Sequence, residues 1–252
     1  MPDRVATSGP FVSVEGHAAG DSISVNGMSS EVMLMLLADA RLPTGAHTQS
    51  AGLEPALRGG MPAAQVPQYI RARLRTVTMV EAGAAVLAQR VTVTKDLDLP
   101  AALAEVDSAW RARTVSPALR ETSVLLGRGY LRLIRQLWPG TAEAAALRAI
   151  GRPGRAVVLG VAAALAGLSA AQLIRLIGYD DAQTVAAATL KLEPLDPVVA
   201  TGWVMAAGPD IERMVDELAA LTDVTQLPAF GAPLIEQWAE VHATTSQRLF
   251  RA

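Results

Sequence analysis

From Ser29 onward apolar residues recur at intervals of three and four, Ala and Leu dominate, β-branched alternation is rare, and Pro and Gly gather at segment edges. That pattern predicts an all-α chain. A first helix is expected over about Ser30 to Ala40, broken by Leu42-Pro43-Thr44-Gly45-Ala46, where Pro and Gly favour non-helical backbone. A second, short helix should reach Arg58 and stop at Gly59-Gly60. Ile70, Leu74, Val77, Ala84 and Leu87 keep helical spacing and predict one long third helix reaching Val93. Arg71, Arg73 and Arg75 cannot all share one face of it, which reads as solvated side chains.

Asp98-Leu99-Pro100 opens a fourth helix through Trp110, and Ser116-Pro117 caps a fifth, with Leu119, Leu126, Leu133 and Leu137 as its expected buried stripe. Trp138-Pro139-Gly140 ends that helix and Thr141 starts another. A loop from Gly151 to Gly154 then precedes an apolar helix from Arg155 to Ala166. Ser169 caps the next, Asp196-Pro197 and Pro209-Asp210 begin two more, and Pro228 to Pro233 introduce a terminal amphipathic helix from Leu234 to about Arg248. The expected architecture is a single compact multi-helix domain of nine to ten helices over residues 28–252, with no repeat of fixed period. Met1 to Gly27, rich in Ser, Gly and small residues and without a signal-peptide layout, is expected to be a flexible N-terminal tail.

Composition narrows the function. Of the 252 residues, 51% are hydrophobic and 18% charged, an apolar surplus of the kind that ends in interfaces. The longest apolar run, Ala156 to Leu168, falls short of the ~20 residues that span a bilayer, so no membrane is expected. Cys is absent, which removes disulfides and thiolate ligands together and fits a cytoplasmic setting. A formal charge of -2, with basic residues scattered among acidic ones, gives no general attraction for phosphate backbones and argues against nucleic acid.

The constellations of catalysis are thin. His17, His47 and His242 are widely spaced, with no His-x3-His pair to set two metal ligands on one helical face, so no catalytic, cofactor or metal site is assigned to this chain alone. A phosphate loop needs a Lys after its second Gly, and the only lysines are Lys95 and Lys191. His47-Thr48-Gln49-Ser50-Ala51-Gly52 lacks the first Gly and the leading strand of a nucleophile elbow. Asp180-Asp181 has a distant likeness to the acidic motifs with which all-helical isoprenoid synthases hold magnesium diphosphate, which supplies the alternative enzymatic reading. With no second acidic motif to face them, the two aspartates read better as opening a helix and serving its dipole. Arg128, Arg132 and Arg135 share one face of the fifth helix, either solvated or facing an acidic partner.

Leu42-Pro43-Thr44-Gly45-Ala46-His47-Thr48-Gln49-Ser50-Ala51-Gly52-Leu53-Glu54 resembles the signature of the urease accessory protein UreF family, Leu-Pro-x-Gly-x-Phe-x-x-Ser-x-Gly-Leu-Glu. Ser116 to Ser123, Val157 to Gly160, Leu190 to Asp196 and the end, His242 to Ala252, with its His-x5-Arg-Leu-Phe pattern, resemble further family segments in family order. His47 and Gln49 stand where the family commonly has Phe and Tyr, and Lys191 where Arg is usual. The resemblance implies a non-enzymatic scaffold that binds UreD, forms a homodimer within the complex, recruits the GTPase UreG and supports nickel insertion into apo-urease. Nickel and GTP would then be handled by the complex. It also points to Gly45, His47, Ser50, Gly52, Glu54, Arg248, Leu249 and Phe250 as partner-binding residues. Ser50 and Glu54 are expected one turn apart on the second helix, where they either meet a partner or fix the packing of the first helices. Leu249 and Phe250, apolar at a chain end, are expected to be exposed unless docked into UreD or a second copy.

Overall fold

The computed structural model describes residues 27–250, so the tail expected over 1–27 lies, apart from Gly27, outside the described residues. Their regular elements are all helical, as the sequence pattern predicts. In order they are α1 (Ser30–Leu37), α2 (Leu53–Arg58), α3 (Val66–Leu74), α4 (Val77–Val93), α5 (Leu99–Arg113), α6 (Pro117–Leu137), α7 (Ala142–Ile150), α8 (Arg155–Leu165), α9 (Ala170–Leu192), α10 (Pro197–Ala206), α11 (Gly208–Leu218) and α12 (Pro233–Thr244). Short 3-10 turns lie at Ala46–Thr48, Ala63–Gln65 and Val224–Gln226.

The helix starts follow local chemistry. Asp98 accepts from the Ala101 amide at 3.2 Å, Ser116 from Leu119 at 3.2 Å, Thr141 from Ala144 at 3.3 Å and Asp196 from Val198 at 2.9 Å. Ser169 and Gln172 form a reciprocal capping box. Each satisfies an amide that the first turn would otherwise leave without a partner.

The core is built on α4 and α8. Ala82, Ala84, Ala85, Val86 and Ala88 of α4 are fully buried against Ala156, Val157, Val158, Leu159, Val161 and Ala162 of α8. The two axes come close because the facing residues are small. A Cβ on Gly160 would overlap the Ala85 carbonyl, so this contact requires glycine. Helix α9 crosses α4 and supports α3, α10 and α11 on its remaining faces.

Several expected boundaries shift, each for a physical reason. The long third helix is two helices: Thr76 leaves helical backbone (φ -130°, ψ -96°), its hydroxyl donates to the Ala72 carbonyl at 2.6 Å, and α4 sets off in a new direction. That break turns Arg73 inward, correcting the expectation that all three arginines are solvated. Arg73 is 7% exposed and forms a pair with Asp181 of α9 at 2.6 Å, while Arg75 reaches Asp210 of α11 at 2.9 Å and Arg71 approaches it at 4.0 Å. Asp180 and Asp181 accordingly sit in the middle of α9 and open no helix. The buried residues of α6 are Ser123, Val124, Gly127, Tyr130, Ile134 and, as expected, Leu137; Leu119, Leu126 and Leu133 lie half-buried beside them. Helix α12 ends at Thr244, short of Arg248, and the chain then folds back.

A buried ion pair becomes costly when one partner is removed. Arg73→Met is therefore expected to lower unfolding free energy by about 3–5 kcal/mol in urea titrations, with the double variant Arg73→Met/Asp181→Leu recovering most of the loss.

Candidate functional site

The segment 42–54 is held in place by its backbone. Ala51 (φ 52°) and Gly52 (φ 77°) are consecutive left-handed residues, which reverse the chain sharply into α2. This turn leaves the Ala51 carbonyl pointing inward, where it accepts from the Tyr69 hydroxyl at 2.6 Å and from Arg73 Nη1 at 2.9 Å. The same guanidinium pairs with Asp181, so Arg73 joins the turn to α3 and α9 together. On the other side, Arg132 Nη2 donates to the Pro43 carbonyl at 2.8 Å, and the Thr44 backbone packs so closely on Gly129 that no Cβ would fit there.

Glu54 is fully buried and belongs to the fold's interior. Its two oxygens accept from the Leu249 amide at 2.8 Å and the Phe250 amide at 2.9 Å, and Arg58, one turn on, pairs with it at 2.9 Å. Arg58 also donates to the Gln247 carbonyl. His242 Nε2 lies 3.2 Å from the Phe250 carbonyl, Arg248 Nη1 donates to the His242 carbonyl at 3.3 Å, and Lys191 Nζ sits 5.1 Å from the centre of the Phe250 ring. Phe250 is 4% exposed, docked into its own chain, which corrects the expectation of a free apolar end. Leu249 stays 59% exposed.

The structure thus brings Glu54 to Arg248, Leu249 and Phe250 across almost the whole chain. His47, exposed, adjoins them through Lys191, whose Nζ also reaches the His47 carbonyl at 3.4 Å. Ser50 is fully buried and precedes α2, so the expected Ser50–Glu54 helical face is not formed. Gly45 (φ 90°) shapes the approach, its carbonyl accepting from the Thr48 hydroxyl at 2.8 Å. Sequence reading missed Tyr69, Arg73, Asp181 and Arg58 as members of this cluster. Only the Glu54–Arg58 spacing of four carried a signal.

Beside the turn lies a cleft of about 320 Å³ between α6 and α12, floored by Arg73, Glu81, Arg155 and Asp180. Arg155 pairs with Glu81 at 2.9 Å and Asp180 at 2.6 Å and lies 5.9 Å from the Tyr130 ring centre. Burial opposes its charge, yet Glu81 and Asp180 hold the guanidinium more basic than usual. Burial and the Asp180 charge push the Tyr130 phenol up to about 12. With Asp180 tied to Arg155 and Asp181 to Arg73, the aspartates offer no open carboxylate pair for magnesium diphosphate. Among the described residues, no group of three His, Asp or Glu side chains could hold a metal ion.

Burial holds the His242 pKa below the ordinary 6.5, against the opposing pull of Glu54 and the Phe250 carbonyl; Arg248 and Arg58 add to the lowering. The docked tail therefore favours the neutral ring. Its contribution to stability is complete above pH 6.5 and is lost as pH falls from there through the depressed value. Amide exchange at Leu249 and Phe250, corrected for intrinsic rates, should accelerate between about pH 7.5 and 5.5 more than exchange in α4, and His242→Gln should flatten the difference. Glu54→Ala, which strands two amides and Arg58, should speed tail exchange at all pH values and cost about 1–3 kcal/mol of stability.

Comparison with known proteins supplies the family. The family model described as UreF matches residues 62–208. A urease accessory protein UreF from Mycobacterium marinum is 34% identical over 231 residues, spanning 88% of this chain and 99% of the relative. Another from Mycolicibacterium vanbaalenii is 34% identical over 226 residues, again 88% and 99%. A third, from Mycobacterium tuberculosis, is 32% identical over 227 residues with the same coverage. No helix among the described residues is long and apolar enough to cross a membrane. The match over more than half the chain and the likeness at near-full length establish that the chain belongs to the UreF family of urease accessory proteins.

Proposed function

We propose that this chain is a non-enzymatic scaffold of urease maturation, which pairs with UreD, recruits the GTPase UreG and supports nickel insertion into apo-urease. One observation carries the reading: the signature turn and the C-terminal tail, far apart in sequence, meet on Glu54 to make one surface. That surface presents His47, Arg248 and Leu249 outward while its polar groups are satisfied from within. A rigid, pre-formed patch loses little entropy on docking, which is what a scaffold requires. Nickel enters this account as cargo of the complex, and GTP as the substrate of UreG.

A second apolar surface supports a homodimer within the complex. Helix α10 buries Ala200 against the body of the protein and leaves Val198 and Met205 74% and 77% exposed, with Val199 also outward. Exposed apolar side chains this close together mark a contact surface.

The experiment is co-expression with UreD, UreG and apo-urease, read by co-purification and by urease activation with nickel. The natural chain should form a complex that activates urease. Leu249→Asp, at an exposed site, should leave thermal stability unchanged and reduce co-purification of a partner at least tenfold, about 1.4 kcal/mol of binding. Met205→Glu should halve the apparent mass without abolishing partner binding. A folded natural chain that associates with no component would overturn the scaffold reading.

A further inference from the structure

Arg128, Arg132 and Arg135 lie on the outer face of α6, all exposed, and none has an ion-pair partner among the described residues. Elsewhere the arginines are largely committed: Arg73, Arg75, Arg111, Arg155, Arg175 and Arg213 face carboxylates. Arg90, Arg113 and Arg120 donate to backbone carbonyls. Of the three on α6, only Arg132 makes a polar contact among the described residues, and that contact is the Pro43 carbonyl of the signature turn. Arg148, also exposed and without an ion-pair partner among the described residues, is on α7, which packs against α6.

Leu125 extends this row. Its spacing of three, seven and ten from the arginines keeps it on the same face, and the row covers about 15 Å of helix. Leu125 is 43% exposed and lines the mouth of the 320 Å³ cleft, with Phe230, 44% exposed, on the opposite side. One helix face therefore combines an apolar mouth with uncompensated positive charge, in a chain whose formal charge is -2.

The geometry points to this face of α6 as a docking ridge for a protein partner that sets an apolar side chain between Leu125 and Phe230 and acidic side chains over Arg128, Arg132 and Arg135. It rests on the scaffold reading, since the partner is one component of the maturation complex. The occupant is a protein, because the apolar mouth adjoins the charge and the chain as a whole does not attract phosphate backbones. Opposite charges across a solvated rim set the encounter rate and its salt dependence, while the apolar residue sets residence time. The anchoring of Arg132 to Pro43 makes the ridge continuous with the signature turn.

The test uses the full chain with UreD, UreG and apo-urease, each captured separately at about 0.05 and 0.5 M NaCl. The variant Arg128→Glu/Arg135→Glu, which keeps the Arg132 bond to the signature turn, is expected to fold normally, to lose capture of one component at least tenfold at low salt, and to leave the others intact. Leu125→Asp should weaken the same component at both salt concentrations. Equal capture of every component by the double variant, with unchanged salt dependence, would overturn the ridge while leaving the scaffold standing. Failure of the natural chain to capture any component would overturn both. Retention of the natural chain on a DNA or RNA oligonucleotide that is lost in the double variant, with protein capture unchanged, would overturn the protein assignment.

Discussion

The guanidinium of Arg73 is the constraint on which the rest of the architecture depends. Nearly buried, it pairs with Asp181 of α9 and donates to the Ala51 carbonyl, so a single side chain fixes α3, α9 and the signature turn together. A buried cation must be matched by several acceptors or it destabilises the fold. Here burial alone would make Arg73 easier to deprotonate, and the Asp181 charge, with Tyr69 beside it, more than reverses that. The turn needs this support because Ala51 and Gly52 both hold left-handed backbone, and a side chain at Ala51 is strained there.

From that turn follows the position of Glu54 and, through it, of the tail. Glu54 has no access to solvent, and both of its oxygens are engaged by Arg58 and two tail amides. The residues that the family pattern singles out therefore divide by role. Ser50, Gly52, Glu54 and Phe250 build the surface from beneath, while His47, Arg248 and Leu249 stand on it. A surface with such a division can vary the outer residues, as with His47 in the place of the usual Phe, without disturbing the support.

Much of the fold was legible because it depends on local rules. Caps at Asp98, Ser116, Thr141, Ser169 and Asp196, and the small-residue helix α8, could be read residue by residue. What escaped was set by tertiary contact. The break at Thr76 carries no Pro or Gly, so periodicity ran through it, and Arg73 then read as solvated when its partner stood 108 positions away. Three of the four expected stripe leucines of α6 fall beside its buried row, Leu137 alone lying in it, because small residues make close contacts there: Gly127 lies against the Pro153 carbonyl and Ser123 accepts from the Arg155 amide at 2.9 Å. The tail was expected to be free for the same reason: nothing in a pattern of neighbours announces two amides reaching Glu54.

Signature turn and tail form one pre-assembled surface in the isolated chain. Since the chain has no Cys, spin labels can be placed uniquely at His47→Cys and Leu249→Cys. Dipolar spectroscopy should show a short, narrow distance distribution that broadens when Glu54→Ala is added. A long, broad distribution with Glu54 intact would contradict the account.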